Sequence, residues 1–195
     1  MAFKNFDLDS IRTDLGLTLT PTTLFPVVAP AAVPDWLTDT LARARRVIRA
    51  RSEKARSETV VTPVLIAAAE CGSPPITLHS GERLDVDPTR GLNGEADYIL
   101  ARSPPVPYLV APLLGVVEAK KADIDLGLGQ CVAQMEAARL FNLKAENDII
   151  VYGCVTTGEL WQFLRHDITT IAFDMNRYAI QQLDLLLGVF RDILK

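Results

Sequence analysis

The 195 residues are expected to fold as an α/β (α+β) protein in the order helix, three strands, helix, three strands, helix. Three observations lead there. Apolar residues recur at helical spacing in several separate segments. Between those segments lie runs rich in β-branched and aromatic residues, bounded by Gly, Pro, Asn and Asp clusters. The composition, 49% hydrophobic, suffices for one buried core.

Residues 1–34 are read as an N-terminal arm and 35–195 as a single domain. The stretch 17–34, LTLTPTTLFPVVAPAAVP, carries four prolines and little charge, so it should run extended and pack onto apolar surface. It can serve either as a cover for the protein's own core or as a homodimer contact. Asp35 then stands where a helix N-cap belongs. Trp36, Leu37, Leu41, Ala44 and Ile48 follow at helical spacing, which predicts a helix over 35–56. A second helix is expected over 58–71, with Pro63 near its start and Gly72 ending it.

The period then changes. ITLHSGERLDV, GEADYILAR and PLLGVVEAK read as three strands of a meander. Over 125–142, Leu128, Cys131, Val132, Met135 and Ala138 form one apolar stripe and predict a helix. IIVYGCVTT, ELWQFLRHD and TTIAFDM read as three more strands. A last helix over 177–194 carries Ile180, Leu183, Leu186, Leu187, Phe190 and Leu194.

Several functional classes lose support at this stage. No run of about 18 uncharged apolar residues appears, and MAFKNFDLDS lacks the order of a secretion signal, so a cytoplasmic protein with no membrane partner is expected. Cys71, Cys131 and Cys154 lack zinc or redox spacing and read as buried thiols. His79, placed in a turn, and His166, placed between strands, have no nucleophile motif beside them. LGLGQ at 126–130 lacks the Gly-Lys-Ser/Thr ending of a phosphate loop.

The segment GVVEAKK, residues 115–121, carries the chemistry. In a strand, Val116, Glu118 and Lys120 share one face, which puts Glu118 and Lys120 roughly 7 Å apart. On the preceding strand Glu95, Asp97, Ile99 and Ala101 share a face with the charges first. Antiparallel pairing of the two strands brings Asp97, Glu118 and Lys120 to one sheet edge. Two neighbouring carboxylates repel unless a divalent cation neutralises them, and oxygen ligands suit magnesium.

On these residues the chain resembles the PD-(D/E)XK, or restriction-endonuclease-like, nuclease superfamily, over most of 53–165. The resemblance implies a restriction-endonuclease-like core, a central mixed sheet with helices on both faces. Asp97 corresponds to the first aspartate of the motif, with Ala96 where many members carry proline. Glu118 and Lys120 correspond to the acidic-x-Lys element. Glu58 lies where an auxiliary metal-binding glutamate is often found. Gln130 lies where several branches place a glutamine, with Gln134 four residues on where tyrosine often follows.

The implied activity is Mg2+-dependent hydrolysis of phosphodiesters, with Mn2+ able to substitute and DNA favoured over RNA. Asp97, Glu118 and Glu58 would hold the metal, and Lys120 would position water or stabilise developing charge. Residues 43–56, RARRVIRARSEKAR, offer seven basic side chains in a chain whose net charge is −4. Arg45, Arg49 and Arg56 are the candidate nucleic-acid contacts. The alternative is a noncatalytic domain of the same fold that binds nucleic acid or a partner protein.

Overall fold

The computed structural model describes residues 2–49, 51–72 and 76–195. Its centre is a mixed sheet of eight strands. In chain order these are β1 (Thr18–Thr22), β2 (Thr77–Arg83), β3 (Glu95–Ala101), β4 (Leu113–Ala119), β5 (Val151–Thr156), β6 (Leu160–Asp167), β7 (Thr170–Asp174) and the short β8 (Tyr178–Ala179). Seven run across the sheet as β1-β7-β6-β5-β4-β3-β2, and β8 pairs with β6. The pairs β4–β5 and β1–β7 are parallel and the others antiparallel. The protein is thus of the α/β class, and the six strands read from the sequence are β2 to β7.

Among the described residues six helices flank the sheet: α1 (Leu8–Leu15), α2 (Asp35–Val47), α3 (Glu53–Arg56), α4 (Thr62–Glu70), α5 (Asp125–Lys144) and α6 (Leu183–Ile193). One core joins α5, α1 and the sheet face bearing Ile99 and Val116. The other joins α2, α4 and α6 to the face bearing Leu100 and Val117. This division follows from strand alternation, since successive residues of β3 and β4 point to opposite layers. No helix among the described residues is long and apolar enough to cross a membrane.

The proline-rich part of the arm runs extended over the protein's own core, and part of it joins the sheet, which its composition did not announce. Thr18–Thr22 forms the edge strand β1 beside β7, and Phe3, Phe6, Ile11 and Leu17 are buried. Pro21 is tolerated there because an edge strand leaves one row of N–H groups without ladder partners. Residues 23–34 lie on the protein's own core. The Ala31 amide donates to Asp184 O at 2.9 Å, and Arg191 donates to Ala29 O at 2.6 Å.

The helix expected over 35–56 is broken. Ile48 is extended (φ −117°, ψ 128°), residue 50 lies outside the described residues, and Ser52 caps a new helix by accepting from the Ala55 amide at 3.1 Å. α3 continues through a π-helical segment, Ser57–Val61, directly into α4. Asp35 is the first helical residue rather than the cap; Pro34 occupies that position without a side-chain bond. The last helix begins with a 3-10 turn at Ile180–Gln182.

Both histidines lie within strands, His79 buried in β2 and His166 buried in β6, where its Nε2 is 3.0 Å from Glu136. Cys131 and Cys154 are buried free thiols, whereas Cys71 is only partly buried.

Candidate active site

β3 and β4 pair antiparallel with Tyr98 opposite Val117 and Ile99 opposite Val116. Continuing that register one step sets Asp97 against Glu118, with both side chains on the α5 side. β4 is buried along its whole length, and Glu118, second from its end, is only 2% exposed. Lys120 follows immediately, and its amide donates to Thr156 O at 2.8 Å, which extends the alignment of β4 with β5 past the last paired residue.

The side chains form one bonded set. Lys120 Nζ donates to Glu118 Oε1 at 2.6 Å and to Gln130 Oε1 at 3.1 Å. Gln134 Nε2 donates to Glu118 Oε2 at 2.8 Å, and the Ala119 amide donates to Asp97 Oδ2 at 2.8 Å. Gln130 and Gln134 are one helical turn apart on α5 and reach the two charged groups in turn. Both glutamines therefore face the site.

Gly127 makes this approach possible. A Cβ there would lie 2.6 Å from Val155 Cγ1 and 3.0 Å from Lys120 Cγ, so the lysine stem lies against bare helix backbone. Gly129 plays the matching part on the opposite side of α5, where a Cβ would lie 2.5 Å from Asp7 Cα and Phe6 O. The glycines of LGLGQ thus let α5 sit close to the site on one side and to the N-terminal segment on the other.

Electrostatics follow from this packing. Burial, and then the neighbouring Asp97, push the Glu118 carboxyl up from 4.5 to about 7. Burial also raises Asp97, against the Ala119 amide bond and the Lys120 charge, with Glu53 and Glu95 adding repulsion. Burial works against the Lys120 charge, but Glu118 and Asp97 outweigh it and hold its pKa above the ordinary value. The ammonium ion is therefore the charge that makes two adjacent carboxyls, one buried and one half-buried, tolerable.

The donor set suits a hard divalent cation. Two carboxylates supply oxygens, and Mg2+ is commonly held by one or two carboxylates with water and substrate oxygens completing its shell. Among the described residues no group of three or more His, Cys, Asp or Glu side chains is arranged to hold a metal ion. Glu58 therefore does not complete a set with Asp97 and Glu118. It is exposed on the π-helical segment and pairs with Lys54 at 3.9 Å. Glu53, one residue into α3, is the carboxylate of that helix whose charge reaches both Asp97 and Lys120. Nothing in the acidic-x-Lys pattern singles out Glu53; only the restart of the helix at Ser52 brings it into play.

Of the three arginines, Arg56 is engaged with backbone, donating to Lys121 O at 2.5 Å and to Thr157 O at 3.4 Å. Arg45 and Arg49 are exposed, and with Arg56 they line a single cavity of about 540 Å³. No family model matches the chain, and a comparison with curated proteins finds no match either.

Proposed function

We propose that the protein is a metal-dependent nuclease that hydrolyses phosphodiester bonds, with DNA the favoured substrate, and that it has a restriction-endonuclease-like core. One observation carries the reading: a buried carboxylate, Glu118, and a half-buried one, Asp97, occupy facing positions on antiparallel strands, with the Lys120 ammonium bonded to the first. Such an arrangement is costly for stability, and like-charged carboxyls with raised pKa values concentrate at functional sites.

In this reading Asp97 and Glu118 would hold Mg2+, or Mn2+ in its place. The chemistry supplied by the bound ion is polarisation of the scissile phosphate and activation of water. Lys120 remains charged and donates a proton-bearing hydrogen bond toward the attacking water or the phosphate oxygen on which charge accumulates. Gln130 holds the lysine head, and Gln134 fixes the Glu118 carboxylate. Sub-ångström placement of this kind is what orientation contributes to rate.

The test is cleavage of single- and double-stranded DNA and of RNA with Mg2+, Mn2+ or chelator. Asp97→Asn, Glu118→Gln and Lys120→Ala should each lose at least about 100-fold in rate while keeping the wild-type circular dichroism. Metal-dependent cutting that survives all three substitutions refutes the assignment. A second reading, a noncatalytic binding domain, draws on the closed Lys120–Glu118 pair at 2.6 Å. It gains the ground if wild type neither cuts nor binds Mg2+ by calorimetry.

A further inference from the structure

We propose that the cavity walled by Arg45, Arg49 and Arg56 is a second ligand site that seats the terminal nucleotide of a nucleic-acid strand through its phosphomonoester. The assignment rests on the nuclease reading for its relation to Lys120, and it adds recognition of a strand end to the chemistry of cleavage.

Three separate parts of the chain build the cavity. α2 and its exit supply Leu41, Arg45, Ile48 and Arg49, and the α3 to α4 helix supplies Arg56, Thr59 and Val60. The turn joining β5 to β6 adds Thr157, Gly158 and Glu159, with Ile180 closing the wall. A volume of about 540 Å³ falls within the range of small-molecule sites and suits one nucleotide rather than a length of strand.

The charge balance selects an anion. Among the described residues, three guanidinium groups line the cavity against one carboxylate, Glu159. Among the described residues the Arg45 and Arg49 side chains make no hydrogen bond or ion pair, so both forks remain available to phosphate oxygens. Arg56 is fixed by its bonds to Lys121 O and Thr157 O and sets a positive wall that does not have to be ordered on binding. A terminal phosphate, with close to two charges, gains more from such a cluster than an internal diester with one. Leu41, Val60 and Ile180 offer apolar surface for sugar and base, and among the described residues no aromatic side chain lines the cavity, so recognition falls on the phosphate.

Position links the cavity to the candidate site. Arg56 holds the carbonyl of Lys121, the neighbour of Lys120, and Thr157 follows Thr156, whose carbonyl accepts the Lys120 amide. Both sites therefore share the ends of β4 and β5, one toward α5 and the other toward α2. A strand end seated in the cavity lies beside the edge at which Asp97 and Glu118 stand.

The experiment is fluorescence anisotropy, in chelator, with single-stranded DNA oligonucleotides bearing a 5′-phosphate, a 3′-phosphate or only hydroxyl ends. One phosphorylated end should bind at least about tenfold more tightly than the hydroxyl form. The Arg45→Ala/Arg49→Ala double variant, altered only at exposed positions, should lose that preference, and Glu118→Gln should keep it. Equal binding of all three oligonucleotides, or an undiminished preference in the double variant, overturns the proposal. So does binding of free dTMP at this cavity without any preference for phosphorylated oligonucleotides, which would assign it to mononucleotides instead. Because no cleavage is read, a preference that persists in a protein unable to cut would sink only the nuclease reading. Lost preference with intact cutting would sink only this site.

Discussion

Gln134 on α5 donates its side-chain amide to Glu118 Oε2 at 2.8 Å, in a place where both residues are almost wholly removed from solvent. This bond lowers the Glu118 pKa against the larger effects of burial and Asp97. Replacing Gln134 by Leu removes the donor and raises that pKa further. The acid limb of the cleavage profile should move to higher pH, and stability above pH 7 should fall by about 1–3 kcal/mol. A pH profile superimposable on wild type would show that the amide plays no part in tuning the carboxylate.

The raised Glu118 pKa also makes a thermodynamic prediction for the metal-free protein. The unfolded carboxyl ionises near 4.5 and the folded one near 7, so between those values the native state binds more protons than the unfolded state. Its contribution is therefore fully present below pH 4.5 and is lost as pH rises through about 7, a difference of about 3 kcal/mol. Urea denaturation in chelator at pH 5 and pH 8 measures it. Glu118→Gln should flatten the pH dependence and be the more stable protein at pH 8.

Glu53 and Glu58 lie on the same stretch of helix, where the Glu53 charge reaches Asp97 and Lys120 and Glu58 pairs with Lys54. Glu58→Ala should leave the Mg2+ dissociation constant within about twofold, whereas Glu53→Gln should weaken it by roughly two- to fivefold at low salt, less at high salt. Isothermal titration calorimetry at two ionic strengths separates them. The reverse ranking would restore Glu58 as a metal-side residue.

Gly127→Ala sets a methyl group against Val155 and the Lys120 stem. Overpacking of this kind costs about 1–3 kcal/mol and should displace the ammonium from Glu118. The expected result is a lower melting temperature with a fall in kcat at little change in KM. A variant with wild-type kcat would mean that the lysine reaches its position by another route.

The strands and the Asp97, Glu118 and Lys120 triad were legible because both rest on period-two alternation, which survives any arrangement of the helices around it. The arm and the arginine helix were not. The four prolines of 17–34 hid β1, since edge pairing with β7 is a long-range matter that local composition does not encode. The apolar spacing from Trp36 to Ile48 ran smoothly past the true helix end, and the better signal was Ser52, which caps a second helix. Glu58 rests on its place in the superfamily pattern alone. Its five-residue distance from Glu53 along a helix with a π segment turned it toward Lys54 instead.

The parallel pairing of β1 with β7 has a consequence for how the molecule is made. The Leu24 amide, just past β1, meets the Asp174 carboxylate about 150 residues downstream. On the ribosome β1 must therefore wait, without its ladder partner, until β7 has emerged. This edge of the sheet therefore closes late, and a nascent chain stalled before residue 170 should leave residues 18–22 open to proteolysis.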